Sequence, residues 1–282
     1  MGKVYFITYG DKKYRESVAR ISKEAEQTGV FHEIIGYTDE QLPEPFKTYA
    51  ARYPRGGGYW LWKPWAVWNT WQQMQEGDVL VYADAGCTLL PHPDWQRYLQ
   101  RIAHKKALFF IAEGKNRKWC KKEVFDFFTP CIQWWKYARQ VQATFFMIRK
   151  EGENDVVERW YELARTRPEL FTDVLPENRS KECASFKEHR HDQSVLTACI
   201  CTSAQLEAFC FLPEKMERKH FGGQAVLASR ISAEGVRGTQ ANASEPRKWK
   251  DWIKRMGKSL QCHFTAGLFR LNRLFSRSTT NG

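Results

Sequence analysis

The stretch Gly77 to Leu89, GDVLVYADAGCTL, constrains the fold of this chain more than any other. A glycine turn leads into Val79-Leu80-Val81-Tyr82, and the apolar run stops at Asp84. A segment this short and apolar on both faces predicts a strand covered on both sides, as in the interior of a parallel α/β sheet. Ligands of open α/β sheets sit beyond the carboxyl ends of the strands. A carboxylate placed there and followed by small Ala85 and Gly86 can reach a ligand or a metal without a bulky neighbour in the way. The structural alternative for Asp84 is a turn or helix cap.

The flanking segments supply the rest of such a sheet. Lys3 to Tyr9 reads as a first strand. Tyr14 to Gln27, with Val18, Ile21 and Ala25 at helical spacing, reads as a helix that Gly29 ends. Phe31 to Tyr37 is a second strand, and Pro64 is suited to open a second helix. Strand, helix, strand, helix, strand over the first eighty residues is the pattern of a right-handed parallel α/β unit. Downstream we expect a helix over Pro93 to Lys105, a strand over Ala107 to Ala112, a helix from Val124 to Phe128, a strand over Gln140 to Ile148 and an amphipathic helix over Asp155 to Thr166. Trp65, Trp68 and Trp71 recur at three-residue spacing, which points to packing against the sheet.

Several function classes are disfavoured. Neither GxGxxG nor GxxxxGK[ST] follows the first strand, which argues against a dinucleotide oxidoreductase and a P-loop NTPase. No secretory signal and no bilayer-length apolar run is evident, and eight cysteines without a CxxC pair read as reduced thiols, so a cytoplasmic setting is expected. Of the net charge of +12, nine units fall between Glu214 and Gly282, where fourteen Lys/Arg face five Asp/Glu. The basic character therefore belongs to the tail.

Three polar groups stand out from this frame. RGGGYWLWKP, Arg55 to Pro64, combines three glycines with Lys63 at a helix start, where a cation can meet a diphosphate or simply lie in solvent. Lys115, Arg117, Trp119, Lys121 and Lys122 form a basic loop, either a solvated face or a grip on a phosphorylated donor. His189-Arg190-His191-Asp192 is dense in polar groups just before an apolar segment. Asp192 is expected to cap that helix, and such a carboxylate can also face a cleft. His189-x-His191 lacks a third ligand at a recognised zinc spacing.

RGGGYWLWKPWAV, GDVLVYADAGCTL and FKEHRHDQSVL occur in that order, with KWCKKEVF between the last two. Together, from about Lys3 to about Cys201, they resemble bacterial polysaccharide-type glycosyltransferases of the GT-A fold, distant relatives of the glycogenin-like and capsular sugar transferases. The resemblance implies a nucleotide-sugar-binding, Rossmann-type α/β sandwich with a mostly parallel central sheet. It places Asp84 where those enzymes carry the aspartate that meets metal and ribose. It makes Asp192-Gln193 similar to the DQ near the sugar of retaining members, and hence the catalytic candidates. Tyr9, Lys63, Asp84, Ala85, Lys121 and Arg190 become donor-binding candidates. Asp84 and His220 become candidate ligands for Mn²⁺ or Mg²⁺. The chain departs from the family pattern where Asp84-Ala85-Gly86 lacks the second acid of the usual DxD, which thins the metal site.

The expected organisation is a transferase domain over residues 1–231, a linker over 232–245 and a basic amphipathic tail over 246–282. In the tail, Trp249, Trp252, Ile253, Met256, Leu260, Phe264, Leu268, Leu271 and Phe275 recur every three or four residues between Lys and Arg. Such a helix suits an anionic membrane surface, and thus a lipid-linked acceptor, or else packs on the domain with its charges solvated. The expected activity is sugar transfer, with retention of configuration, from a nucleotide-diphosphate donor to a saccharide or lipid-linked saccharide in cell-surface polysaccharide synthesis. The alternative is a non-catalytic nucleotide-sugar fold whose tail binds membrane or nucleic acid. No RRM, KH or helix-turn-helix signature accompanies the tail, which weighs against nucleic acid.

Overall fold

The interior strand read from Val79-Leu80-Val81-Tyr82 lies within a seven-stranded sheet with helices on both faces. The computed structural model describes residues 2–129, 133–232, 235–236 and 248–278. The first half of the chain gives β1 (Val4–Tyr9), α1 (Arg15–Thr28), β2 (Glu33–Tyr37), α2 (Glu44–Arg52), α3 (Gly56–Tyr59), α4 (Trp62–Gln73), β3 (Val79–Ala83), β4 (Thr88–Leu89), α5 (Asp94–Ile102) and β5 (Ala107–Lys115). There follow α6 (Asn116–Trp119), α7 (Lys122–Phe128), β6 (Arg139–Val141), β7 (Phe145–Arg149), α8 (Asp155–Thr166), α9 (His191–Thr202) and β8 (Phe209–Pro213). The short strands β9 (Val226–Leu227), β10 (Ile231–Ser232) and β11 (Gly235–Val236) precede α10 (Lys248–Ser278). Most of the expected linker lies outside the described residues.

The sheet order is β2-β1-β3-β7-β5-β6, with β8 also on β5. β2 and β3 flank β1 in parallel, and β8 runs parallel to β5. β7 is antiparallel to both β3 and β5, and β6 is antiparallel to β5. Five of the seven strands therefore point one way, and β6 and β7 make the sheet mixed rather than purely parallel.

Strand periodicity divides the core into two layers. Ile7, Leu80, Tyr82, Phe109 and Phe146 face one side, with Trp65 and Trp71 of α4, Trp160 of α8 and Val195 of α9. Val4, Phe6, Val79, Val81, Phe110 and Met147 face the other, with Ile21 of α1 and Trp95 of α5. Each such side chain stabilises the fold by about 1.5–3 kcal/mol on burial. The tryptophans of α4 are core residues as expected: Trp65 and Trp71 are buried, and Trp68 stacks on Tyr161 with centroids 5.3 Å apart.

Some boundaries differ from expectation. The strand expected over Gln140 to Ile148 is broken at Gln142-Ala143-Thr144, where the chain passes from one stretch of β5 to another. The segment read as a basic loop holds α6 and the start of α7 instead. Asp192 is not the cap of α9: Arg190 holds that position and Asp192 lies in the first turn, where the helix dipole favours a carboxylate.

The tail helix α10 packs on β8, α9 and the 3₁₀ turn Trp134–Lys136. It buries Cys262, Thr265, Ala266, Leu268, Phe269 and Asn272. Lys258 pairs with buried Glu214 at 2.6 Å, and Arg270 with Glu207 at 3.1 Å. The opposite face leaves Ile253, Met256, Leu260, Phe264, Leu271 and Leu274 exposed. The tail thus packs on the domain and still presents an apolar stripe outward. Leu268 belongs to the packed face, and the side chains of Trp249, Trp252 and Phe275 lie outside the described residues.

Candidate active site

Three elements meet at one buried ion cluster. Lys63 is the second residue of α4, Asp84 follows the end of β3, and Asp192 is the second residue of α9. The Lys63 Nζ lies 3.0 Å from Asp84 Oδ1 and 2.7 Å from Asp192 Oδ2, and donates to the Ala143 carbonyl at 3.1 Å. That carbonyl is available because the strand breaks there and leaves the backbone of 142–144 outside a regular ladder. The same break holds the neighbours in place. Asp84 N–H donates to the Thr144 carbonyl at 2.9 Å, and Ala143 N–H to Gln193 Oε1 at 3.4 Å. Gln193 Nε2 donates to Gln140 Oε1 at 2.7 Å, and Tyr82 Oη to Asp84 Oδ1 at 2.7 Å.

Only 2% of Lys63 is exposed, and its ammonium lies 5.1 Å from the Tyr82 ring centroid and 5.6 Å from that of Trp62. Burial works against its charge, but the two carboxylates outweigh burial and hold its pKa above the ordinary lysine value. Burial raises the Asp192 carboxyl, and Lys63 offsets only part of that. The cluster of one ammonium and two carboxylates keeps one net negative charge when all are ionised.

Above it opens a cleft of about 230 Å³, lined also by Arg55, Trp60, Thr144, Glu188, His189, Arg190 and His191. Arg55 donates to both oxygens of Asp173, at 2.9 and 3.1 Å. Arg190 differs. Its guanidinium lies over Trp119, 4.1 Å from the ring centroid, with the Glu188 and Glu217 carboxylates acting on it through space. Burial depresses its pKa from the usual arginine value, yet an arginine stays charged at neutral pH.

The two histidines are structural and neutral. His189 Nδ1 accepts from Lys121 N–H at 3.3 Å, so Nε2 carries the proton toward the Leu170 carbonyl, 2.9 Å away. Burial drives the His189 pKa well below normal, with the Lys121 charge adding to it. His191 Nδ1 meets the Phe171 carbonyl at 2.7 Å, and its pKa is likewise lowered by burial. The His191 ring stacks on Trp60, and the wall they form is strained. Tyr59, Trp60 and His191 all adopt positive φ, at 54°, 59° and 39°. Gly58, at φ 91°, allows α3 to lie against α2, since a Cβ there would meet the Ala50 nitrogen at 2.9 Å.

No family model and no curated protein matches this chain. Solved structures do. A galactosyltransferase, LgtC, in complex with donor and acceptor sugar analogs is 12% identical over 77% of this chain and 75% of its own, at a TM-score of 0.36. A glycosyltransferase involved in glycosylation of the major capsid of PBCV-1 is 7% identical over 66% and 80%, at 0.35. The glycosyltransferase GlyE of Streptococcus pneumoniae is 11% identical over 75% of this chain and 45% of its own, at 0.37. These are likenesses of coarse chain path.

Of the residues singled out by sequence, Lys63, Asp84, Arg190, Asp192 and Gln193 converge on the cleft. The others are placed elsewhere. Tyr9 is buried and stacks on Trp62, with centroids 4.0 Å apart, behind Lys63. The Ala85 carbonyl accepts from Arg20 at 2.8 Å. Lys121 is buried, its Nζ donating to the Glu169 carbonyl at 2.6 Å and pairing with Glu123 at 2.9 Å, away from the cleft lining. His220 is buried ahead of β9, its N–H bonded to Gln224 Oε1, and it does not line the cleft. Sequence reasoning missed Arg55, Trp60 and the Ala143 carbonyl as parts of one wall. The glycines beside Arg55, and the small Ala143-Thr144 pair inside an apolar strand, were the available signals.

The resemblance implies a divalent metal, and the side chains present do not fit one. Among the described residues no group of three or more His, Cys, Asp or Glu converges on a point. The two carboxylates that do converge already share an ammonium. A dication bound to the same oxygens at about 2.0–2.6 Å would lie within about 5 Å of that nitrogen. At an effective dielectric of about 20 the repulsion is on the order of 10 kcal/mol.

Proposed function

We propose that this chain is a glycosyltransferase that moves a sugar from a nucleotide-diphosphate donor to a saccharide or lipid-linked saccharide acceptor, in the synthesis of a cell-surface polysaccharide. The observation that carries this reading is Arg190. A half-buried guanidinium, held over Trp119 in the lining of a cleft and acted on by Glu188 and Glu217 through space, is suited to an anionic group such as a diphosphate. On the cleft floor, Asp84 and Asp192 supply carboxylates that accept hydrogen bonds from sugar hydroxyls and stabilise positive charge developing at the anomeric carbon. Gln193, oriented by Gln140, presents an amide beside them. Retention of configuration is what the similarity of Asp192-Gln193 to the DQ of retaining members implies.

The test is a donor screen on the full chain. UDP- and GDP-sugars are scored by thermal shift, because a ligand that binds only the folded state raises its stability, and then by release of nucleoside diphosphate. One class of donor should raise the melting temperature and turn over. No shift and no turnover with any donor refutes the reading. The non-catalytic alternative is distinguished by a shift without turnover.

The apolar stripe of α10 supports peripheral attachment to an anionic membrane surface. From Ile253 to Leu274 it runs about 32 Å along the helix, with exposed Lys254 and Arg270 beside it. Apolar side chains entering the interface with cations near the headgroups is the usual arrangement of such helices. Among the described residues no helix is long and apolar enough to cross a membrane. A surface-bound enzyme would meet a lipid-linked acceptor in the plane of the bilayer.

A further inference from the structure

We propose that the Lys63 ammonium holds the position between Asp84 and Asp192 that a divalent cation would take, and that the chain transfers its sugar without one. The inference deepens the transferase reading and rests on it.

Geometry carries it. The carboxylates come from different elements, a strand end and a helix start, and meet at one nitrogen 3.0 and 2.7 Å away. The third direction around that nitrogen is closed by the Ala143 carbonyl at 3.1 Å. A main-chain oxygen with two carboxylates is a donor set that suits a hard cation, and here the cation is covalently supplied. It cannot leave easily. Its stem belongs to a buried helix start, and the Tyr82 and Trp62 rings flank the charge. Tyr82 adds a hydrogen bond to the same Asp84 oxygen that faces Lys63, which fixes that carboxylate toward the ammonium. The missing second acid of the DxD is consistent with this arrangement, since a tethered single charge needs fewer anionic partners than a dication.

The chemistry balances without a metal. The bond between the anomeric carbon and the β-phosphate oxygen breaks, and its electron pair leaves with the nucleoside diphosphate. The acceptor hydroxyl oxygen forms the new bond to that carbon, and its proton passes to the departing phosphate oxygen. The charge that develops on the diphosphate is met by Arg190 and Arg55 in the cleft lining, while Lys63 offsets part of the negative charge of the two carboxylates beneath. Each of these groups is in place before the donor arrives.

Two measurements on the full chain test the proposal. Mn²⁺ added to the protein alone should keep its free-ion electron paramagnetic resonance signal, so that any Kd is weaker than about 1 mM. Binding of one Mn²⁺ much more tightly than this, lost in Asp84→Asn, overturns the proposal. A folded Lys63→Met protein should gain the Mn²⁺ site that the wild type lacks, and failure to gain it overturns the assignment of the two carboxylates as the cation position. In turnover assays on whichever donor the screen identifies, EDTA should change the rate by less than about threefold. A loss of about tenfold or more that Mn²⁺ or Mg²⁺ restores refutes metal-free transfer alone. Absence of turnover in both buffers overturns the transferase reading, and the proposal with it.

Discussion

Replacing Lys63 by Met removes the cation and keeps most of the stem, which isolates the charge. Two carboxylates then remain in the floor of the cleft, one of them, Asp192, almost fully buried. Deleting one partner of a buried ion pair costs about 3–5 kcal/mol, because the remaining charge has neither solvent nor counterion. At about 2–4 °C per kcal/mol the melting temperature should fall by roughly 6–20 °C at pH 8. The pH dependence has a definite sign. The raised Lys63 pKa means that its stabilisation is fully present below the ordinary lysine value and is lost only as pH rises through its higher folded value. Within pH 5–8 the variation therefore comes from Asp192. Asp192 is already raised by burial, and without Lys63 it rises further. The variant's deficit should then shrink toward pH 5, as Asp192 takes up a proton, and reach its full size toward pH 8. Differential scanning calorimetry of wild type and variant across that range reads both quantities. Lys63→Met/Asp192→Asn should recover part of the loss, giving a coupling energy of about 1–3 kcal/mol. A deficit below about 1 kcal/mol at pH 8, or one equal at pH 5 and pH 8, refutes the account of the cluster.

Two further outcomes are expected. Arg190→Met should weaken donor binding in calorimetric titration by about 10- to 150-fold, the equivalent of about 1.5–3 kcal/mol for a charge-assisted contact, while the melting temperature of the unliganded protein stays within a few degrees; unchanged affinity removes Arg190 from the donor site. Leu260→Glu with Phe264→Glu, both on the outward stripe of α10, should abolish co-sedimentation with vesicles rich in phosphatidylserine and shift stability by less than about 0.5 kcal/mol per site. Retained vesicle binding would show that the stripe is not the attachment face.

The sequence by itself determined much of the scaffold. The run Val79 to Tyr82 declares an interior strand because both its faces are apolar, and it does pair on both edges, with β1 and β7. The helix over Asp155 to Thr166 is recovered to the residue, since a strong amphipathic period leaves little choice of register. Asp84, Lys63, Arg190 and Asp192-Gln193 were legible as polar residues in places where an apolar core would not hold them. Their meeting was not legible. Lys63 comes to Asp84 through the packing of α4 on the sheet, and to Asp192 across more than a hundred residues of chain, and no local pattern encodes either distance. The break at Ala143 was likewise hidden, because a strand that changes partners keeps the same apolar alternation on both sides of the change. Lys121 shows the converse: in sequence it is one more cation in a basic run, and folding spends its charge on Glu123 and the Glu169 carbonyl. Local pattern reports which segments must be covered. Only tertiary packing decides which charge meets which, because that depends on distances between elements that are remote along the chain.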